Sequence, residues 1–129
     1  MIEGAVPFTS VSDRREKKDI RDISLGLEFV MALHPVEYRM RNGNGRLDLG
    51  FVAQDIESLL GTGYNLLGIG AAPDRKLSLR YTDLVAPMVR AIQQQQSTIE
   101  RQQAAIAELR RAVELLLART SPEGRIAVK

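Results

Sequence analysis

The chain has 129 residues, of which 44% are hydrophobic, so its length and composition suit one domain of ordinary globular character. Its 18 basic and 16 acidic residues leave a net charge of +2, which is too small for a dedicated nucleic-acid-binding surface. The absence of cysteine excludes a disulfide framework and a zinc site with thiolate ligands. With no signal-peptide pattern and no apolar run of membrane-spanning length, we expect a soluble protein that contacts neither nucleic acid nor membrane.

The first residues of the chain, 1–11, show no periodicity and are predicted to be a lead-in or the end of an upstream passenger segment. The stretch 12–20 that follows is dense in charge. Ser12 or Asp13 can cap a short solvated helical turn there, because oxygen atoms of such side chains accept hydrogen bonds from free backbone N–H groups. Arg15 stands where a capping box would have Glu or Gln, so the full motif is absent.

A short helix is predicted after the charged stretch. Its apolar residues are nearly continuous from residue 25 to residue 33, and Ser24 is placed to cap its first turn. Pro35 ends the helix, because proline lacks a backbone N–H and restricts the residue before it.

Two β-hairpins are predicted next, with a helix between them. Residues 36–40 and 47–51 alternate between apolar and polar around the glycine-rich turn 42–45, which is typical of a hairpin. A short helix over 53–59 ends near a glycine, and 65–79 reads as the second hairpin. These elements predict a small α+β head with two core residues, Phe51 and Ile56.

The C-terminal part is predicted to be one long helix over residues 80–119, followed by a tail over 120–129. The early Pro87 means that the helix begins near this residue or is kinked there. Two sets of residues, three positions apart, recur every seven residues, as the a and d positions of a coiled coil do. This seam comprises Val85, Ile92, Ile99, Ile106 and Val113 at a and Met88, Gln95, Gln102, Leu109 and Leu116 at d.

The composition of the seam indicates how many copies meet. A helix of this length extends about 50 Å, which is more than a small head can cover, so the expected partner is another copy. All a residues are β-branched, but two d residues are Gln, which weakens the pattern that specifies dimers. Three Gln amides can close a hydrogen-bonded ring around an axis, so a parallel homotrimer is favoured over a dimer. A helix that packs on its own domain remains the alternative.

Several segments in order resemble the intramolecular chaperone domain of phage tail spikes and fibres, the peptidase S74 family first recognised in endosialidases. The resemblance covers residues 12 to about 118, and it implies an α+β chaperone head over 12–79 that precedes a trimeric coiled coil. It rests on Ser-Asp-Arg-Arg-x-Lys from residue 12, Leu-x-Pro-Val-x-Tyr over 33–38, Gly-Phe-Val-Ala-Gln-Asp-Ile-Glu over 50–57 and Leu-Ser-Leu-Arg-Tyr-Thr-Asp-Leu-Val over 77–85.

The resemblance also implies a function. Domains of this family lie at the carboxyl end of a homotrimeric fibre, promote its assembly and then release themselves by cutting the chain before the motif serine. By position, the nucleophile would be Ser12, the base Lys17 and the scissile bond Val11–Ser12; Glu16 departs from the family, which often has an apolar residue there. The expected setting is the host cytoplasm during virion assembly, with the upstream fibre or spike as partner and no cofactor.

The Ser-Lys chemistry follows from general properties of the two side chains. A serine hydroxyl needs an adjacent base, and a lysine can fill that role without His or Asp. The lysine must be neutral, a state that burial and nearby cations favour and that the nearby carboxylates of Asp13, Glu16 and Asp19 oppose. A pocket that forms on trimer assembly could decide this balance, which would make cleavage depend on assembly.

Other functions remain open at this point. The charged motif is also compatible with a non-catalytic trimerisation or adaptor module, or with a helical partner-binding regulator. An enzyme for external substrates is the weakest hypothesis, because the sequence offers no metal-ligand cluster, no second histidine and no nucleotide loop.

Overall fold

The computed structural model describes residues 9–120, so residues 1–8 of the predicted lead-in and 121–129 of the predicted tail lie outside the described residues. The expected combination of short helices, two small antiparallel hairpins and a long C-terminal helix is confirmed. In chain order, the elements are a first 3-10 turn (Arg14–Glu16), α1 (Leu27–Ala32), β1 (Val36–Tyr38), β2 (Asp48–Gly50), α2 (Ala53–Leu60), β3 (Leu67–Ile69), β4 (Leu77–Leu79), a second 3-10 turn (Tyr81–Leu84) and α3 (Val85–Thr120).

Helix α1 begins in a way that the sequence pattern did not predict. The expected cap by Ser24 is wrong: the cap position is Gly26, and no side chain there accepts a hydrogen bond. Instead, the backbone N–H of Leu27 donates to Oε1 of Gln94 on α3 at 2.6 Å. Gly26 is buried, and a Cβ atom at this position would collide with the side chains of Gln94 and Arg90. A tertiary contact therefore replaces the local cap.

The first hairpin is confirmed but is shorter than the alternation suggested. Strands β1 and β2 pair antiparallel with Glu37 opposite Leu49, three residue pairs in all. Met40 and Leu47 lie in the connecting loop and are exposed. That loop is held by its own polar contacts, among them a hydrogen bond from Arg39 Nε to the Gly45 carbonyl at 3.0 Å. The glycine has φ +78°, a backbone conformation that other residues rarely adopt.

The second hairpin and α2 also match the prediction. Helix α2 ends at Leu60 and is capped by Gly61, whose N–H donates to the Glu57 carbonyl and whose φ of +71° suits a residue without Cβ. Strands β3 and β4 pair antiparallel, and an ion pair of 2.6 Å between Arg75 and Glu57 joins their connecting loop to α2.

The core lies where α1, α2, the second hairpin and the start of the long helix meet. Ile56 is the most deeply buried side chain, with 1% of its surface exposed, as predicted. Phe51 is only partly buried against this cluster, so its predicted place within the core is corrected. Phe51 is only partly buried because it lies in the link between β2 and α2. The centroid of its ring lies 6.2 Å from the centroid of the Tyr81 ring, and the two rings are tilted against each other. The buried residues of this cluster are Phe29, Ile56, Leu66 and Leu84.

Helix α3 begins at Val85, with Pro87 in its first turn, where a missing N–H costs no helical hydrogen bond. The head packs against the start of α3 and buries a stripe that contains Leu84, Pro87 and Ala91. At 100° per residue this stripe lies about 100° around the helix from the predicted seam. None of the helices in residues 9–120 is long and apolar enough to cross a membrane.

Candidate functional site

The structure brings the two predicted catalytic residues together. The Nζ atom of Lys17 donates a hydrogen bond to the Oγ atom of Ser12 at 2.7 Å. Both residues are exposed in the single chain. A hydroxyl and an amine at this distance can exchange a proton directly, which is the geometry that a serine nucleophile and its base require.

The first 3-10 turn creates this contact. Its backbone closes with two hydrogen bonds, from Glu16 N to the Asp13 carbonyl at 3.0 Å and from Lys17 N to the Arg14 carbonyl at 3.1 Å. Lys17 then leaves the turn in an extended conformation, with φ −117° and ψ 148°. The turn reverses the chain over three residues, so the side chain at position 17 can reach back to the side chain at position 12.

Asp13 and Arg15 hold the same turn through their side chains. Oδ1 of Asp13 accepts from the backbone N–H of Arg15 at 2.8 Å, and Oδ2 accepts from Arg15 Nη2 at 2.8 Å. The side-chain hydrogen bond from Arg15 keeps the pKa of the Asp13 carboxyl below its ordinary value, because it stabilises the charged form. The same hydrogen bond raises the pKa of Arg15. The sequence predicted that Ser12 or Asp13 caps this turn, but it did not predict the ion pair between Asp13 and Arg15. The spacing of an Asp two residues before an Arg is the signal that could have indicated it.

The predicted scissile bond lies in an open segment. Val11 has 79% of its surface exposed, and the described residues that precede it, 9 and 10, are exposed and belong to no helix or strand. The peptide bond between Val11 and Ser12 is therefore accessible from solvent. Within residues 9–120, no group of three or more His, Cys, Asp or Glu side chains could hold a metal ion.

The predicted seam lies open along one side of α3. Its eight apolar members have between 44% and 64% of their surfaces exposed in the single chain, and both Gln residues are exposed as well. The head covers a different stripe of the same helix, so it leaves the whole seam uncovered. These residues are Val85, Met88, Ile92, Gln95, Ile99, Gln102, Ile106, Leu109, Val113 and Leu116.

Comparison with known proteins matches residues 12–62 to a family model, peptidase S74, described as the chaperone of endosialidase. No curated protein and no solved structure matches the chain. The matched region begins at Ser12, contains Lys17 and extends just past α2, so it includes the candidate pair, α1 and the first hairpin. The resemblance predicted from the motifs is thereby confirmed: residues 12–62 of the chain match the model of the peptidase S74 family, the chaperones of endosialidase.

Proposed function

We propose that this chain is a C-terminal intramolecular chaperone that promotes the homotrimeric folding of a phage tail fibre or spike and then cuts itself between Val11 and Ser12. The family match supports the chaperone role and peptidase activity in general. The hydrogen bond of 2.7 Å between Lys17 and Ser12 is the observation that favours Ser-Lys chemistry over any other arrangement of the described residues.

The proposed cleavage balances with these two side chains and one water molecule. The neutral amine of Lys17 takes the proton from Ser12 Oγ, which attacks the carbonyl carbon of Val11. The bond from this carbon to the Ser12 nitrogen breaks, the nitrogen receives the proton from Lys17, and Val11 is left esterified to Oγ. Water then hydrolyses the ester to free the carboxyl group of Val11 and the hydroxyl group of Ser12.

The exposed seam supports the assembly half of the proposal. Eight apolar side chains on one face of a 36-residue helix expose a surface that further copies of the helix can cover. In a parallel trimer the three heads lie at the same end, beside the three upstream passengers. We place this step in the host cytoplasm during virion assembly, after which the cleaved domain leaves the fibre.

The direct test is the intact mass of freshly expressed protein, with a denaturing gel beside it. Cleavage should yield fragments 1–11 and 12–129, whereas Ser12→Ala should remain full length and still form trimers. Ser10→Ala removes another exposed serine hydroxyl from the same segment, and this control should be cut as the wild type is. If the wild-type chain stays intact, a trimeric passenger fused before Met1 should restore cutting. Cutting of Ser12→Ala at the wild-type rate would show that Ser12 is not the nucleophile.

A non-catalytic trimerisation or adaptor module is the second candidate. The observation in its favour is that Ser12 and Lys17 are both exposed to solvent in the single chain and lie in no enclosed pocket that would exclude water from a reaction. An uncut trimer, with and without the fused passenger, would favour this candidate.

A further inference from the structure

We infer that Asp13 and Arg15 are positioning residues for the proposed cleavage, and that their ion pair holds Lys17 against Ser12. The inference rests on the proposed function, because positioning matters only if Ser12 and Lys17 react. Neither Asp13 nor Arg15 contacts the reacting atoms in this role. Their effect is on the turn that lies between the two reacting side chains.

The turn has little else to hold it. It contains no buried residue, so apolar packing does not support its conformation. Its backbone contributes two hydrogen bonds in a 3-10 arrangement, whose geometry is poorer than that of an α-helix. The Asp13 carboxylate adds contacts to both the backbone and the side chain of Arg15, and these are the side-chain restraints within the turn.

The guanidinium of Arg15 contacts both carboxylate oxygens of Asp13, so the relative orientation of the two side chains is restrained as well as the distance between them. Arg15 Nε lies 3.1 Å from Oδ1 and 3.3 Å from Oδ2 of Asp13, while Nη2 lies 2.8 Å from Oδ2. A planar guanidinium that contacts both carboxylate oxygens restricts rotation of each side chain. The lowered pKa of Asp13 agrees with a carboxylate held in its charged form by this contact.

Loss of the ion pair between Asp13 and Arg15 should change the distance between Lys17 and Ser12 while it leaves the free energy of unfolding nearly unchanged. Both side chains are well exposed, and exposed ion pairs contribute little to the free energy of unfolding. Catalysis is more sensitive, because small displacements of a base from its nucleophile lower rates strongly. Cleavage should therefore respond to the pair while the melting temperature does not.

Arg14 provides a matched control within the same turn. Its side chain makes no hydrogen bond or ion pair with any of residues 9–120, although its charge and position are close to those of Arg15. Arg14→Gln and Arg15→Gln change the net charge equally. A difference between them therefore reports the contact with Asp13 and not the local charge.

The experiment measures the first-order rate of appearance of fragment 12–129 by intact mass, in the full chain or its trimeric-passenger fusion. Arg15→Gln and Asp13→Asn should each slow cleavage about tenfold, whereas Arg14→Gln should stay within about twofold of wild type. The double variant should be no slower than the slower single variant, because the two residues act as a pair. Arg15→Lys should recover part of the loss. Melting temperature and oligomeric state should not change.

The outcomes separate this inference from the proposed function. Equal rates for Arg14→Gln and Arg15→Gln, or a double variant slowed by the product of the single effects, would overturn the positioning role while cleavage by Ser12 stands. A wild-type chain that stays intact even when fused to a trimeric passenger would overturn both. Because a guanidinium stays charged, the dependence of the rate on pH should keep its shape in Arg15→Gln. A changed shape would show that Arg15 acts on the titration of the base, and it would overturn a role limited to positioning.

Discussion

The backbone N–H of Leu27 donates to the side-chain Oε1 of Gln94 at 2.6 Å, across 67 positions of the sequence. This contact satisfies a free N–H group at the start of α1 with an acceptor on α3, where a local serine was expected to serve. It also joins the α+β head to the long helix at a residue outside the predicted seam.

Gln94→Ala should lower the free energy of unfolding by about 1 kcal/mol, because it leaves a partly buried N–H group without its acceptor. Gln94→Glu keeps an acceptor at the same place and should lose less. Gln93→Ala, an exposed neighbour, is the control. Urea denaturation of the three variants measures the difference, and equal losses at positions 93 and 94 would contradict the role of the contact.

The seam predicts a homotrimer that substitution can dissociate. Ile99→Asp with Ile106→Asp should give monomers, because each Asp would place an unpaired charge at the trimer axis. Ser97→Asp with Ala104→Asp adds the same charge on the opposite side of the helix and should leave the trimer intact. Light scattering distinguishes the two results. A wild-type chain that is monomeric at micromolar concentration would contradict the predicted seam itself.

Replacement of the proposed base should stop cleavage without preventing assembly. Lys17→Ala removes the amine, and Lys17→Arg retains the charge but presents a guanidinium that cannot give up its proton near neutral pH. Both variants should remain full length by intact mass. Lys18→Arg, the adjacent conservative change, should be cut normally. Cleavage of Lys17→Arg at the wild-type rate would exclude a lysine base.

Two core substitutions should differ in their effects. Ile56→Ala should lower the free energy of unfolding by about 2 to 5 kcal/mol, because its side chain is 1% exposed. Phe51→Ala should cost less than the roughly 3 to 5 kcal/mol of a fully buried phenylalanine, since Phe51 is only partly buried. Urea denaturation tests the order of the two losses, and a larger loss at Phe51 would contradict the assignment of the core.

Asp13 should titrate below the ordinary aspartate pKa of about 3.9. The hydrogen bond from Arg15 lowers the pKa of Asp13 in the folded chain. Its contribution to the free energy of unfolding is therefore fully present above the pKa that Asp13 has in the unfolded chain, and it is lost as the pH falls through the pKa of Asp13 in the folded chain. The carboxyl carbon shift of Asp13 in an NMR titration measures the midpoint. Arg15→Gln should raise the midpoint toward 3.9, whereas Arg14→Gln should leave it unchanged.

Much of the architecture follows from local patterns in the sequence. The seven-residue repeat from Val85 to Leu116 predicted one long helix, and the structure contains it as α3. Alternation around the turn 42–45 predicted the first hairpin, and the glycine at residue 61 predicted the end of α2. These signals work because helical periodicity, strand alternation and turn chemistry depend on residues that are neighbours in the chain.

The tertiary structure decided what depends on residues that are distant in the sequence or on exact turn geometry. Ser24 is a residue type that often caps helices, yet Gln94 accepts the hydrogen bond from the N–H of Leu27 at the start of α1, because α1 packs on α3. Phe51 is apolar in a strand pattern, yet its place at the edge of the core leaves it partly exposed. The spacing of Ser12 and Lys17 pointed to a pair through the family resemblance, but only the 3-10 turn held by Asp13 and Arg15 places Nζ within 2.7 Å of Oγ. Sequence spacing limits how far apart two side chains can lie, whereas the backbone dihedrals of the turn determine whether they meet.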